Sequence, residues 1–135
     1  MYRIRKILLV EDDPEDRLIF NDSFIELGAE NLVEYEDNGE KALLHLEECY
    51  EKQQLPNLII LDLNMPGMNG TQILRAIKND ERFNNIRVLI YSTSINKIEK
   101  EQCLLLGAED YILKPLTYSE SINKANQFRE ICMTA

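Results

Sequence analysis

Long hydrophobic runs are scarce in this sequence. Uninterrupted apolar segments such as Ile7–Val10 and Leu58–Leu61 are far shorter than the roughly 20 residues that cross a bilayer. The basic residues near the N-terminus lead into only the first of these segments before Glu11, whereas a secretory signal peptide carries a longer apolar stretch. The sequence therefore predicts neither membrane insertion nor export.

Cysteine and basic residues are also few. The three cysteines, Cys49, Cys103 and Cys132, are odd in number and form no Cys-x-x-Cys pair, which excludes a disulfide framework and a zinc cluster and indicates a reducing, cytoplasmic setting. Lys and Arg number 15 against 24 acidic residues, for a net charge of −9. Nonspecific nucleic-acid binding needs basic side chains to neutralise phosphates, so we expect no direct nucleic-acid partner.

What the sequence does contain is an alternation of short apolar runs and longer helical patterns. With 135 residues, 44% of them apolar, it has the size and composition of one globular domain, which we assign to residues 1–135. Strands are predicted at residues 5–10, 32–35, 58–61, 86–91 and 111–113, and a helix follows each. This order predicts an α/β fold of three layers, with helices on both faces of a five-stranded parallel sheet.

Several residues mark the helices. Pro14 suits the first position of the first helix, Gly28 its end, and Gly107 the end of a fourth helix that includes Ile98 and Leu104–Leu106.

His45 falls at the flank of the apolar stripe of the second helix, so we expect an exposed residue without a ligand role.

Polar residues follow the predicted strands at their carboxyl ends. Glu11, Asp12 and Asp13 follow the first strand, and Asp62 follows the third. Ser92 and Lys114 follow the fourth and fifth strands. Open α/β sheets bind their ligands at this edge, and acids with one hydroxyl and one lysine suit a metal-assisted phosphoryl site.

The acids carry most of this interpretation. Asp12 and Asp62 can meet only if the first and third strands are neighbours, as in the flavodoxin-like strand order 2-1-3-4-5. Two carboxylates about 4 Å apart repel by roughly 4 kcal/mol at an effective dielectric near 20, so the pair needs a raised pKa or a cation such as Mg²⁺. Asp13 or Glu15 is explained by the helix N-terminus alone, but Asp62 ends a buried strand and is not.

The lysine and the serine have simpler alternatives. Lys114 precedes Pro115, which restricts its backbone, and its ammonium group can offset the acids and contact a phosphate oxygen. Taken alone, it is an ordinary surface lysine before a turn. Ser92 can equally cap the next helix, a role for which Thr93 and Ser94 compete.

These residues resemble the receiver domain of two-component response regulators. The resemblance lies in the LLVEDDP segment at residues 8–14, LDLNMPGMNG at 61–70, Ser92, and YILKP at 111–115. It spans the five strands and five helices. The Ser-Thr-Ser stretch at residues 92–94, together with VEDDP at 10–14, also resembles stand-alone receivers that work with phytochrome-type and related kinases. No single motif is specific, but four motifs in this order and spacing are.

The resemblance implies roles for individual residues. Asp62 would accept a phosphoryl group from a sensor histidine kinase or a phosphotransfer protein, and the Lys114 ammonium group would contact that group. The peptide bond between Lys114 and Pro115 would be cis. Mg²⁺ would be bound by Glu11, Asp12, Asp62 and the backbone carbonyl of Asn64. A further set would act after phosphorylation: the switch hydroxyl of Ser92, the rotating aromatic ring of Tyr111, and Asn64 and Ser94 as residues that tune hydrolysis.

The chain also departs from the family pattern. Glu11 stands where aspartate is commoner, so its metal contact is either direct or through water. Thr93 replaces a frequent alanine, which narrows access to the site, and Tyr91 is bulky beside Ser92.

Two rival functions remain at this point. One is a metal-dependent aspartyl phosphatase, although such enzymes carry an acid two residues after the nucleophile, where this chain has Asn64. The other is a degenerate receiver that acts only as a docking module. Because no effector segment follows the fifth helix, we expect a non-enzymatic signalling protein whose output passes to a downstream protein through the fourth helix, fifth strand and fifth helix, with a homodimer as an alternative.

Overall fold

The fold is an alternation of strands and helices along the chain. The computed structural model describes residues 5–134, and within them five strands alternate with five α-helices. The strands are β1 (Ile7–Val10), β2 (Val33–Glu36), β3 (Leu58–Leu61), β4 (Arg87–Ser92) and β5 (Asp110–Leu113). The helices are α1 (Pro14–Glu26), α2 (Gly39–Glu51), α3 (Gly70–Lys78), α4 (Lys97–Leu106) and α5 (Tyr118–Thr134).

The strands form one parallel sheet in the order β2-β1-β3-β4-β5. Its register is set across the middle of the sheet, where Val10 pairs with Leu61, Leu61 with Ile90, and Ile90 with Tyr111. The predicted α/β fold, flavodoxin-like strand order and neighbouring first and third strands are therefore confirmed. Residues that directly follow β1 and β3 emerge side by side at one edge.

Two hydrophobic cores lie on opposite faces of the sheet. Alternate residues of each strand point to opposite faces. On one face Leu8, Ile59 and Val88 join the core that packs under α2, α3 and α4. The opposite face packs against α1 and α5, which contact each other, and its aromatic centre contains Phe20, Phe24, Tyr91 and Phe128. Burial on both faces explains why the central strands are apolar without alternation.

Glycines end two helices where the sequence predicted. Gly28 has φ of +66° just after α1, and Gly107 has φ of +112° as the C-cap of α4, a left-handed conformation that favours glycine. The apolar residues of α4 are mostly exposed to solvent. Cys103 is its buried residue, whereas Ile98 is 78% and Leu105 89% exposed.

Two expectations are wrong. The Lys114–Pro115 peptide bond is trans, because no cis peptide occurs within residues 5–134, and trans is the lower-energy isomer even before proline. His45 is not exposed as expected: its side chain is 15% exposed, because its ring packs towards β2 with Nδ1 2.8 Å from Oε2 of Glu36. In the part of the chain that the structure describes, no helix is long and apolar enough to cross a membrane.

Candidate functional site

Backbone hydrogen bonds hold the first and third strand ends together. The N–H of Asp62 donates to the carbonyl of Val10 at 3.0 Å, and the N–H of Glu11 donates to the carbonyl of Glu36 at 3.0 Å. The parallel ladder thus continues one residue beyond β1 and β3. As a result, the side chains of Glu11 and Asp62 start from adjacent, fixed backbone positions.

Three carboxylates converge at this edge. Oxygen atoms of Glu11, Asp12 and Asp62 all lie within 4.8 Å of one another. Glu11 is 2% and Asp62 5% exposed, whereas Asp12 is half-buried. The structure therefore brings together the three predicted side-chain ligands on two neighbouring strand ends.

Burial changes the acidity of this group. Desolvation, reinforced by a hydrogen bond with Asp62, raises the pKa of Glu11 to about 8. Desolvation likewise raises the pKa of Asp62, although its contacts with Glu11 and Lys114 oppose the shift. Without a cation, both carboxyl groups therefore hold a proton more readily than exposed acids do.

The donor set fits a hard divalent cation. It consists of carboxylate oxygens from two buried acids and one partly exposed acid, which leaves one side of the group open to water. Mg²⁺ prefers oxygen ligands, retains water and commonly uses one or two carboxylates. Asn64 follows closely, with its backbone N–H 3.5 Å from Oδ1 of Asp62, and a metal contact by its carbonyl remains a prediction.

Lys114 reaches the same group from the end of β5. Its Nζ contacts Glu11, donates a hydrogen bond to Oδ2 of Asp16 at 2.8 Å, and lies 3.8 Å from Oδ1 of Asp62. Burial alone would lower the pKa of Lys114, but the hydrogen bonds to Asp16 and Glu11 outweigh it and raise the pKa. The lysine is therefore a charged member of the site rather than a surface residue.

The start of α1 supplies residues that sequence reasoning missed. Asp13 caps the helix by accepting from the N–H of Glu15 at 2.8 Å, as predicted from its position. Asp16, in the first turn of α1, accepts a hydrogen bond from Nζ of Lys114. Nη1 of the next residue, Arg17, donates to the carbonyl of Glu11 at 2.7 Å. Asp16 was indistinguishable in sequence from an acid that only favours a helix N-terminus.

Ser92 and Tyr111 lie on the adjoining strands. Ser92 is fully buried, and its Oγ accepts from the N–H of Ser94 at 3.4 Å. The Tyr111 hydroxyl is 3.1 Å from both the carbonyl of Ser94 and Oε1 of Glu99. The ring of Tyr111 is buried, and its hydroxyl contacts the β4–α4 loop two residues after Ser92. The switch roles of both residues remain predictions.

Two further contacts shape the site. The N–H of Lys114 donates to the carbonyl of Ser92 at 2.7 Å, which joins the ends of β4 and β5. At the start of α3, a methyl group on Gly70 would collide with the carbonyl oxygen of Asp62 and come within 2.8 Å of the Leu63 Cα. The close approach of α3 to the backbone of Asp62 thus requires glycine at this position.

Comparison with known proteins agrees with this geometry. The family model described as the response regulator receiver domain matches residues 7–126. The chain is 32% identical over 115 residues to the chemotaxis protein CheY1 of Helicobacter pylori, covering 83% of this chain and 86% of that protein. The crystal structure of the phosphorylated cyanobacterial phytochrome response regulator RcpA superposes with a TM-score of 0.85 at 30% identity, covering 97% of this chain and 96% of the other.

The chain is also similar to a second solved structure of a response regulator. The Mn²⁺-bound form of response regulator Rcp1 is 26% identical, with a TM-score of 0.78 and coverage of 93% of this chain and 92% of the other. The family match extends over most of the chain, and the strand order and site geometry agree with it. The chain belongs to the response regulator receiver family.

Proposed function

We propose that this chain is a phosphoacceptor in two-component signalling, with Asp62 as the residue that carries the phosphoryl group. The observation that supports this most strongly is the grouping of Glu11, Asp12 and Asp62 within 4.8 Å, with the Lys114 ammonium group beside them. A buried aspartate at the end of a central strand, next to two other acids, has no evident structural purpose. Its cost is offset when the group binds a cation and a phosphoryl group.

The reaction is an in-line displacement at phosphorus. An Oδ atom of Asp62 attacks, a new O–P bond forms, and the bond between phosphorus and the donor breaks, with its electron pair leaving on the donor atom. Glu11, Asp12, Asp62 and the Asn64 carbonyl would hold Mg²⁺, which would supply positive charge to the oxygens of the transferring group. Lys114 adds a second positive charge at fixed position, so catalysis is mainly electrostatic.

Signalling follows from the new acceptor oxygens. The Ser92 hydroxyl can donate a hydrogen bond to a phosphoryl oxygen, which draws the β4–α4 loop inwards. Tyr111 contacts this loop at Ser94, so its contacts with Ser94 and Glu99 change at the same time. A local change in charge thereby alters the surface of α4, β5 and α5. Asn64 and Ser94, both exposed beside the site, are in place to affect hydrolysis.

The proposed donors are a sensor histidine kinase or a phosphotransfer protein, and the proposed recipient of the signal is a protein that recognises the altered surface. Turnover as a phosphatase is disfavoured because Asn64 stands two residues after Asp62, where an aspartyl phosphatase carries its second acid. The chain thus acts as a cytoplasmic signalling domain, with self-phosphorylation from small donors and autodephosphorylation as its only chemistry.

The test is incubation with Mg²⁺ and acetyl phosphate, followed by intact-mass measurement. The wild type should gain the mass of one phosphoryl group, and chelation of Mg²⁺ should prevent the gain. Asp62→Asn should remove labelling, because the amide is not nucleophilic. Asp22→Asn, the same change at an exposed position on α1, should label like the wild type. Absence of labelling in the wild type would instead identify a degenerate receiver that acts by docking.

A further inference from the structure

The Lys114 ammonium group is held mainly by two acids on the β1–α1 side of the site. It has three N–H donors. One contacts Glu11, and another donates to Oδ2 of Asp16 at 2.8 Å. Oδ1 of Asp62 lies at 3.8 Å, beyond hydrogen-bond distance. One donor is therefore left for a group that occupies the space next to Asp62.

Asp16 is a partner of Lys114 that the metal group does not share. The clustered carboxylates are those of Glu11, Asp12 and Asp62, and Asp16 is not among them. Within residues 5–134, Lys114 is the only basic side chain within 4 Å of the Asp16 carboxylate. When Glu11 serves as a metal ligand, Asp16 is thus the remaining acid committed to Lys114.

The backbone of Asp16 is rigidly placed. It lies in the first turn of α1, where Pro14 fixes the chain entry and the Asp13 carboxylate accepts from the N–H of Asp16 at 3.4 Å. The lysine, by contrast, has a long flexible side chain. The flexible side chain of Lys114 does not by itself fix where its ammonium group lies. A hydrogen bond to the Asp16 carboxylate, which is attached to a helix, can do so.

Helix stabilisation does not require this acid. Glu15 occupies the same first turn, is exposed and carries the same charge, so it provides the favourable interaction with the helix N-terminus. Asp16 differs from Glu15 in being half-buried and in facing Lys114. The chain thus offers two acids in one turn, of which Asp16 contacts Lys114 and Glu15 faces solvent.

We propose that Asp16 is a positioning residue for phosphoryl transfer: it holds the Lys114 ammonium group so that a free N–H is directed at the phosphoryl group on Asp62. This inference rests on the proposed phosphoacceptor function. Asp16 touches neither the reacting atoms nor the metal ligands, and it acts through Lys114.

The first test compares labelling rates with acetyl phosphate at saturating Mg²⁺. Asp16→Ala should lower the rate constant about tenfold, because a displaced charge stabilises the transferring group less well. Asp16→Asn should fall between, since its amide oxygen still accepts a hydrogen bond, and Asp16→Glu should restore most of the rate. The matched control, Glu15→Ala, should label like the wild type.

The second test needs neither metal nor donor. In nitrogen-15 NMR spectra tuned to lysine ammonium groups, the buried Lys114 signal, assigned by its loss in Lys114→Arg, should be visible in the wild type and in Glu15→Ala. It should broaden beyond detection in Asp16→Ala, because exchange with water quickens when the hydrogen bond is lost. A purely structural role for Asp16 would change the melting temperature but not this signal selectively.

The outcomes separate the two hypotheses. If the wild type is labelled while Asp16→Ala labels as fast as Glu15→Ala, the positioning role is wrong and the phosphoacceptor function stands. An unchanged Lys114 signal in Asp16→Ala also overturns the positioning role. If the wild type is not labelled at all, the phosphoacceptor function fails, and the positioning role fails with it even where the NMR signal depends on Asp16.

Discussion

At the scale of single residues, the site is a set of charges that are stable only in combination. Glu11 and Asp62 are buried next to each other, and burial raises the pKa of both acids even though Lys114 lies beside them. The charge of Lys114 therefore does not fully offset the cost of burying two carboxylates. When no cation is present, protonation of this pair relieves the repulsion between the acids. Proton and cation compete for the same oxygens.

This competition predicts how stability depends on pH. The pKa of Glu11 rises from 4.5 to about 8 on folding, so the folded state binds more protons than the unfolded state between these values. The stabilising contribution is complete below about pH 4.5 and is lost as the pH rises through about 8. We expect the free energy of unfolding of the metal-free protein to fall by on the order of 1–2 kcal/mol between about pH 6 and about pH 8.

Urea denaturation in the presence of a chelator measures this effect. Glu11→Gln, which does not titrate, should show a distinctly smaller fall over the same interval, and Mg²⁺ should restore stability to the wild type at the higher pH. Equal pH dependence in the wild type and Glu11→Gln would show that protonation of Glu11 does not cause the loss of stability.

At the scale of elements, the geometry of the site depends on how α3 meets β3. Gly70 begins α3 directly against the backbone of Asp62, where there is no space for a methyl group. Asn69 fixes this end of the helix through a capping box with Gln72. The loop between Asp62 and α3, which includes Asn64, is therefore held at both of its ends.

Gly70→Ala should destabilise the protein and disturb the loop. We expect the free energy of unfolding to fall by about 1–3 kcal/mol, because the added methyl group meets backbone atoms that cannot rotate away. Gly39→Ala is the matched control, since Gly39 also begins a helix but its methyl group would meet the Ile73 side chain, 2.8 Å away. Chemical denaturation should give the larger loss for Gly70→Ala, and the reverse order would contradict this view of α3.

The elements also show what the sequence could and could not predict. Residues 58–61 were recognised as a buried strand because they are apolar throughout, and the position of Asp62 followed from that. Asp16 was missed, because only the tertiary approach of β5 to α1 distinguishes it from Glu15. Ile98 and Leu105 were assigned to α4 correctly, but apolar character in sequence does not reveal that these residues face solvent. His45 was misjudged because its partners, Glu34 and Glu36, come from a separate strand.

At the scale of the whole molecule, the exposed apolar residues concentrate where the signal is expected to emerge. Ile98 and Leu105 lie on α4, and Leu116, which is 96% exposed, follows β5. Exposed apolar clusters commonly mark sites of protein contact. Ile98 and Leu105 lie within the segment that connects Ser92 to Tyr111, and Leu116 follows it closely in the chain, so a change at the site is well placed to alter this surface.

Hydrogen–deuterium exchange before and after labelling would test that connection. We expect phosphorylation to change exchange in residues 92–116, with little change in α2, which packs near β2 at the other edge of the sheet. Ser92→Ala should label within about twofold of the wild type, since the hydroxyl acts after transfer, yet lose most of the exchange difference. An undiminished difference in Ser92→Ala would assign the switch to another group.

The register of β1 against β3 has a consequence for how such a domain can vary. A slip of one residue would turn every core side chain of β1 towards the wrong face and, at the same time, separate Glu11 from Asp62. Packing of the sheet interior therefore also keeps the two reactive positions adjacent, so substitutions on the surface of the domain can accumulate without separating Glu11 from Asp62.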